Sequence, residues 1–597
     1  MISNMAKPQV SGRLLSMRIF VLPVAVVVLL AAGLVGVPML LQAAILIGIA
    51  KILIDSYRNI RQGHYSLDYI AFSAMVVSLA TGAYVPGAVI ALMFTGGEAL
   101  EAFASDRAED SLRALVSRIP KTCLVRKGGS FVEVAIQQVQ SGSVIILKKG
   151  ELVPLDGTLV SENALFDVSN LTGESDPLEA VGGALIKSGS VNTGGTIELR
   201  VVGDFSTSTY RRIIGLVEEA RRNPARFVRL SEQVNLPFTI ATFGLAIGAY
   251  LWSGEVSRAL AVLVIATPCP LIIAAPVAFL GGLSRAAKNA IIIRSPASLE
   301  VLSRINAVYF DKTGTLTLGE PTLSQIDLIA HRLGSEDEAL SIAASLEMHS
   351  LHPLARTLVK EAQKRGIRFV AAQSVEEKIG EGIAGSVQGV QCSLSRAPLG
   401  TSEAGIVLSL TRDGSEVARI RFTDVMKPNT DALFRSMRRR GIEVGIITGD
   451  RQANAESLFG SYGVDIHAGA SPENKFRIVK VAKSAGKSVM MVGDGLNDAP
   501  ALALADVGVV FSGSENAASI EAAHVVILER GLDHVSQLLN IAGKSVRVAR
   551  ESVYGGIALS LVGMMLAAAG YIEPVAGALI QEGIDVVVIL NALRALR

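Results

Sequence analysis

Cysteine is scarce in this sequence. Three residues, Cys123, Cys269 and Cys392, are spread through 597, and no two form a Cys-x-x-Cys pair. That excludes a disulfide framework and a thiolate-rich metal-binding domain. Cys123 and Cys392 read as small buried residues. Charge is scarce too: Asp, Glu, Lys and Arg make up 18% of the chain and the net charge is +2. No basic run interleaves with aromatics, so a nucleic-acid partner is not expected. There is no internal repeat and no low-complexity tract. What the chain has in excess is apolar surface: 50% hydrophobic residues and a mean hydropathy of +0.44. That is too oily for an ordinary soluble enzyme and predicts a protein partly embedded in a membrane. A length of 597 residues also exceeds what one core organises, so several domains are expected.

A span needs about 20 apolar residues, fewer inside a bundle. Eight segments qualify: 19–37, 39–53, 67–83, 85–103, 238–252, 260–283, 554–569 and 572–593, with a tight turn over 81–87. Lys7, Arg13 and Arg18 precede the first, which reads as a retained membrane anchor rather than a cleaved leader. Lys51, Arg58 and Arg61 follow the second span, and Arg594 and Arg597 follow the last, while the opposite loops hold few cations. Cations on that side, with an even number of spans, put both termini in the cytoplasm together with two large polar segments. The first, about 105–236, has period-two stretches such as 142–147 and 196–202 and reads as a small β-rich domain. The second, about 284–550, alternates strands (307–310, 444–448, 488–492) with helical stretches such as 474–484, the pattern of a parallel α/β sheet.

The sharpest motif is Asp311-Lys312-Thr313-Gly314-Thr315-Leu316-Thr317, directly after the apolar strand 307–310. A carboxylate at the C-terminal edge of a parallel strand sits where such sheets bind ligands. It can attack a phosphoryl group to form an aspartyl phosphate, with Lys312 offsetting charge and the small turn admitting backbone N–H groups. Three further motifs follow the same logic: Thr172-Gly173-Glu174-Ser175, Thr448-Gly449-Asp450, and Gly493-Asp494-Gly495-Leu496-Asn497-Asp498.

Together these four motifs, in this order, resemble the P-type ATPases over nearly the whole chain. The resemblance implies Mg²⁺ held by Asp311, the Thr313 carbonyl and Asp494. It implies phosphate contacts from Thr448 and Lys475, a supporting loop at Asn497 and Asp498, and Glu174 positioning water to hydrolyse the aspartyl phosphate. Between 317 and 424 lies an insert carrying Glu347-x-x-x-x-His352-Pro353 and Gly380-Glu381-Gly382. A lone His-Pro or Gly-x-Gly is weak. In this position both match the nucleotide-binding domain of the heavy-metal subgroup, which implies ATP with adenine near Glu347 and His352 and close backbone approach at Gly380 and Gly382. In Asp424-x-x-Lys427-Pro428 a lysine stands where the family more often has arginine, and little consequence is expected.

The sixth span contains Thr267-Pro268-Cys269-Pro270. Two prolines remove backbone donors and break a helix, and freed carbonyls at membrane depth are tolerated where they line a cavity or bind an ion. On the residues alone, a kinked helix with a packing cysteine and a soft ligand at the break are both open. The metal pumps carry a Cys-Pro or Pro-Cys motif here, which favours the ligand. Copper and zinc pumps typically show Cys-Pro-Cys. Replacement of one thiolate by the Thr267 hydroxyl hardens the site and disfavours Cu(I). The last span adds Gln581, Glu582 and Asp585, with Gln581 and Asp585 four residues apart on one helix face. Intramembrane carboxylates mark ion pathways; placement of Gln581 and Glu582 at the outer interface is the alternative. One thiolate with carboxylate and amide oxygens suits Fe²⁺, Co²⁺, Ni²⁺ or Zn²⁺, and the combination resembles a minor branch of the metal pumps associated with nickel and iron.

The implied fold is multidomain α/β plus an α-helical membrane domain. The membrane helices take 1–104, 237–283 and 551–597 and the β-rich actuator 105–236. A haloacid-dehalogenase-like phosphorylation domain takes 284–318 and 424–550, with the nucleotide-binding domain inserted at 319–423. The implied function is ATP-driven export of a transition-metal cation by a monomer in a bacterial plasma membrane. No N-terminal metal-binding domain is visible. A membrane-tethered phosphatase would explain Asp311 and Asp494 but not Thr172–Ser175; a K⁺ or lipid pump would not explain Thr267-Pro268-Cys269; a non-enzymatic metal sensor would not need complete phosphotransfer motifs.

Overall fold

The computed structural model describes residues 12–61, 69–117, 122–127, 130–167, 178–205, 208, 226–266, 269–329, 333–348, 350, 352–378, 382–397, 406–493, 496–511, 517–529 and 531–596. It divides into two compact units, the larger parts of which are 180–303 with 1–164 and 538–597, and 304–537.

The apolar segments of the first unit are helices: α1 (Gly12–Leu34), α2 (Pro38–Arg61), α3 (Tyr69–Thr81), α4 (Tyr84–Ser117), α5 (Arg226–Ser253), α6 (Val256–Ile265), α7 (Cys269–Lys288), α8 (Asp533–Ala568) and α9 (Pro574–Ala592). Among the described residues, three stretches are long and apolar enough to cross a membrane by length and composition: Pro38–Arg58, Asp533–Ala568 and Pro574–Leu596. Five shorter apolar helical stretches accompany them, Val21–Leu34, Tyr69–Thr81, Tyr84–Gly97, Pro237–Ser253 and Val256–Ile265. Their inward faces form one apolar core that includes Val26, Ile45, Met75, Leu260, Val264, Met564 and Ala578. Their outward faces are also apolar: Ile240, Ile247 and Leu251 on α5 and Leu559, Val562 and Leu566 on α8 recur at helical spacing and are exposed. Patches of that size are unfavourable in water and suit a lipid solvent.

Four boundaries differ from the sequence reading. The turn expected over 81–87 is only Gly82–Ala83, because Pro86 lies in the first turn of α4, where a missing N–H costs nothing. The expected sixth span is two helices. α6 ends at Ile265, where the Ala266 N–H donates to the Val262 carbonyl at 3.1 Å, and α7 begins at Cys269 with Pro270 in its first turn. Helices α5 and α8 also begin well before their apolar parts, at Arg226 and Asp533.

The β-rich segment forms a six-stranded antiparallel sheet in the order Ser130–Ala135, Thr122–Lys127, Val144–Leu147, Ile197–Val201, Gly157–Leu159, Leu185–Ile186. Alternation along Ile197–Val201 buries Ile197, Leu199 and Val201 on one face, the signature of a sheet with one face on a core.

The second unit holds six parallel strands in the order Val525–Ile527, Val507–Phe511, Val489–Gly493, Ala307–Asp311, Glu443–Ile447, Asp465–His467. Three of these, Ala307–Asp311, Val489–Gly493 and Val507–Phe511, are buried at every position, as a parallel sheet covered on both faces requires. The chain runs outward from Ala307–Asp311 to one edge, then crosses back to continue from Val489–Gly493 to the other. The strand order therefore reverses beside Asp311, which is where doubly wound sheets open a ligand crevice. The insert is a separate six-stranded antiparallel sheet, Thr317–Leu328, Ser415–Met426, Ile406–Arg412, Val390–Arg396, Gly382–Val387, Gln373–Lys378. Helices Glu336–Glu347 and Pro353–Lys364 cover it around Leu340, Leu346, Leu358 and Phe422.

Candidate functional site

Asp311 ends its strand with the side chain 10% exposed, and Lys475 Nζ donates to its Oδ1. The same ammonium donates to Asp498 Oδ1 at 2.7 Å, where the carboxylate is 2% exposed. Local sequence explains the reach of Lys475. Ser471 caps helix Pro472–Ser484 by accepting from the Asn474 N–H at 3.3 Å, Pro472 and Glu473 suit its first turn, and Lys475 follows one turn in. Burial pulls the Lys475 ammonium down, but Asp311 and Asp498 more than offset it, and the group is held above its ordinary value. Asp498 in turn dictates Gly493: a Cβ there would lie 2.7 Å from Asp498 Oδ2.

Lys312 is placed differently from the expectation that it offsets charge at Asp311. Its Nζ is bound to Asp424 and Asp450 instead. Burial lowers the Lys312 ammonium and the two carboxylates raise it, with a net shift upward. The lysine thereby ties the Thr448-Gly449-Asp450 loop to the strand that returns from the insert. Thr448 is buried, and its Oγ1 accepts from the Asp450 N–H at 3.1 Å. Lys427 lies in the same cluster: its Nζ donates to the Gly314 carbonyl at 2.7 Å and lies 4.5 Å above the Phe511 ring. Thr313 is exposed, while Thr315 Oγ1 in the same turn is buried without a partner among the described residues. Thr315, Asp424 and Lys427 all stand inside sequence motifs, but their contacts in this cluster were not legible there. Asn497 is exposed beside Asp498. Glu174, Asp494 and Gly380 lie outside the described residues.

In the insert, Glu347 is buried at the end of its helix. Burial first, then the neighbouring Glu377, pushes its carboxyl up to about 7 against an opposing hydrogen bond from Ser350. His352 caps helix Pro353–Lys364, its Nδ1 accepting from the Leu354 N–H at 3.2 Å. The neutral ring therefore carries its proton on Nε2. Gly382 has φ +146°, and a Cβ there would meet the Leu394 carbonyl at 2.3 Å, so no other residue fits.

In the first unit, Gln581 and Asp585 are buried on one face of α9, and Gln581 Nε2 donates to Asp585 Oδ1 at 2.9 Å. Glu582, the next residue on α9, is half-buried. Ser560 on α8, a single hydroxyl in an apolar stretch, donates to Gln581 Oε1 at 3.3 Å. One turn and more below, Asn591 Nδ2 donates to Ser552 Oγ at 2.8 Å. Thr267, Pro268 and the Cys269 side chain lie outside the described residues. Among the described residues no three His, Cys, Asp or Glu side chains come together as a metal site. Burial pushes the Cys123 thiol up to about 11, which keeps it protonated and unsuited to metal.

A family model described as haloacid dehalogenase-like hydrolase matches residues 305–506, and one described as P-type ATPase actuator domain matches residues 117–218. The zinc/cadmium/lead-transporting P-type ATPase of Shigella sonnei (strain Ss046) is 32% identical over 581 residues, covering 93% of this chain and 78% of that protein. The copper-exporting P-type ATPase of Legionella pneumophila subsp. pneumophila is 30% identical over 550 residues, 85% of this chain and 74% of that one. A solved structure of a zinc-transporting PIB-type ATPase in the E2.Pi state aligns over 98% of this chain and 99% of its own, with a TM-score of 0.66 and 29% identity.

Proposed function

The chain belongs to the heavy-metal-transporting P-type ATPases, and from that premise we propose that it exports a divalent transition-metal ion through an aspartyl phosphate on Asp311. It is an ATPase with an actuator, a haloacid-dehalogenase-like phosphorylation domain, a nucleotide-binding domain and membrane helices. The observation that carries the proposal is the buried Asp311–Lys475–Asp498 cluster at the point where the parallel sheet reverses its order.

Asp311 presents a carboxylate oxygen to the γ-phosphorus of ATP. A new P–O bond forms on Asp311 as the bond to the β-bridging oxygen breaks, and ADP leaves with that electron pair. Lys475, already desolvated and held cationic, needs no reorganisation to offset charge on the transferring group. Thr448 and the Thr315 hydroxyl, which has no partner among the described residues, offer neutral donors in the same motif loops. The oxygen donors of Asp311, the Thr313 carbonyl and Asp494 suit a hard divalent ion, and Mg²⁺ bound there would neutralise developing charge on the phosphoryl oxygens. Glu174 orients water for hydrolysis of the aspartyl phosphate, and Asn497, Gly449 and Asp450 support the loops around it. Adenine lies against Glu347 and His352, with close backbone approach at Gly380 and Gly382.

For the cargo, the site comprises Thr267, Pro268 and Cys269 between α6 and α7 together with Gln581 and Asp585 on α9, with Glu582 beside them. One thiolate among oxygen donors favours borderline ions of the Fe²⁺, Co²⁺, Ni²⁺, Zn²⁺ type over Cu⁺. Eight spans, cytoplasmic termini, a bacterial plasma membrane, a monomeric pump and the domain limits given above complete the proposal. The test is ATPase activity of the purified protein in lipid against Fe²⁺, Co²⁺, Ni²⁺, Zn²⁺, Cd²⁺ and Cu⁺. Stimulation by one or two divalent ions, lost in Asp311→Asn and Cys269→Ala, supports it. Activity indifferent to every metal and unchanged in Cys269→Ala contradicts it.

A further inference from the structure

Glu347 and Ser350 are both buried, at 7% and 9% exposure. The Ser350 hydroxyl donates to Glu377 Oε1 at 2.8 Å, and both Ser350 and Glu377 lie close enough to the Glu347 carboxyl to act on it. It accepts in turn from the His352 N–H at 3.1 Å, which leaves Ser350 fixed in place. A hydroxyl has one proton, so it cannot satisfy two carboxylates at once. Glu377 belongs to strand Gln373–Lys378. There it pairs with Ile383, and the next residue, Lys378, pairs with Gly382. One side chain thus links the Glu347–His352 helix end to the glycine turn. Its lysine neighbour does not neutralise it, because Lys378 Nζ is turned to Glu376 at 3.9 Å. The cluster has acceptors in excess and is short of N–H donors.

We propose that Glu377 is a second base-recognition residue, which with Glu347 accepts the two N–H bonds of the adenine exocyclic amine. This rests on the reading of Glu347 and His352 as the nucleotide site. The chemistry selects adenine over guanine. Adenine offers an N–H₂ group where guanine offers the O6 lone pair, and a carbonyl oxygen set against two carboxylates is repelled. Sites built around a required donor reject analogues lacking it far more strongly than apolar pockets reject a missing methylene, because the acceptors are left unpaired. Ser350 acts as a positioning residue: its single proton is committed to Glu377, and the arriving amine supplies the N–H donors that the two carboxyl groups lack.

The experiment uses the full-length protein in detergent with trinitrophenyl-ATP as fluorescent probe, displaced by ATP or by GTP, alongside KM and kcat for ATP. Loss of one charge-assisted hydrogen bond in Glu377→Ala should weaken ATP displacement and raise KM about tenfold, leave kcat at saturating ATP unchanged, and shrink the ATP-over-GTP preference by a similar factor. Glu377→Gln, which keeps one acceptor oxygen, should fall between. Glu377 is exposed on its strand, so both variants are expected to fold. If Glu347→Ala weakens ATP binding while Glu377→Ala leaves ATP affinity and the ATP/GTP ratio unchanged, the inference is overturned and the nucleotide site stands. If neither Glu347→Ala nor His352→Ala affects ATP binding, the nucleotide site itself is misplaced and the inference falls with it.

Discussion

Replacing Lys475 by methionine removes a cation shared by Asp311 and Asp498 while keeping much of the apolar stem. Both carboxylates are nearly closed off from solvent, with side chains 10% and 2% exposed. Breaking a buried ion pair by deleting one partner costs about 3–5 kcal/mol, because the remaining charge is left uncompensated. For a domain of this size that corresponds to a fall of roughly 10 °C in its melting temperature. The lysine's folded pKa is raised above its unfolded value. Its contribution is therefore present below the unfolded pKa near 10.5 and lost only as pH rises beyond it, so the fall should be seen throughout neutral pH. Phosphoryl transfer also loses its preorganised cation, and removal of one such group costs about 10²–10³ in rate. The assay pairs differential scanning calorimetry with phosphoenzyme formation from radiolabelled ATP. The double variant Lys475→Met with Asp498→Asn should regain much of the stability, since one stranded charge is gone, but not the phosphorylation. A Lys475→Met protein that melts like the wild type and phosphorylates at full rate would refute the reasoning.

Glu347 carries a folded-state pKa of about 7, raised by burial and by Glu377. A carboxyl raised above its unfolded value stabilises the fold below the unfolded pKa, and that stability, on the order of 3 kcal/mol, is lost as pH rises through about 7. Urea midpoints of the wild type should drop between pH 5 and 8, and Glu347→Gln should flatten the profile. Ser560→Ala removes a neutral hydrogen bond to Gln581. A loss of about 1 kcal/mol predicts a roughly fivefold rise in the half-stimulating metal concentration with the maximal ATPase rate preserved. Cys269→Ala should abolish metal-stimulated turnover yet still form phosphoenzyme from inorganic phosphate, since that reaction needs no cargo; loss of both would indicate a misfolded protein instead.

Much of this architecture was legible because its signals are local. The strand over 307–310, the helix over 474–484 and the period-two strands at 144–147 and 197–201 follow from hydrophobic period and turn residues within a few positions. The phosphotransfer motifs were legible for the same reason, as contiguous runs. What escaped depends on distant partners. Lys312 binds Asp424, which is 112 residues away, and no spacing rule reaches that far. Lys427 stands in a motif, but its approach to the Gly314 carbonyl and the Phe511 ring, both far off in the chain, is not readable from that motif. Ser560 is one hydroxyl in an apolar span; only the packing of α8 on α9 turns it toward Gln581. The early start of α8 was hidden because 533–553 is polar and helical, so hydropathy marked only the membrane part.

The central claim is that metal binding in the membrane licenses phosphorylation of Asp311. Radiolabelled ATP added to the full-length protein in lipid, followed by acid quenching and peptide mapping, tests it directly. Acid-stable, hydroxylamine-labile label is expected on the peptide containing Asp311, appearing only with a stimulating metal, and absent from Asp311→Asn and Cys269→Ala. Label of equal amount with and without metal, or label that persists in Asp311→Asn, would contradict it.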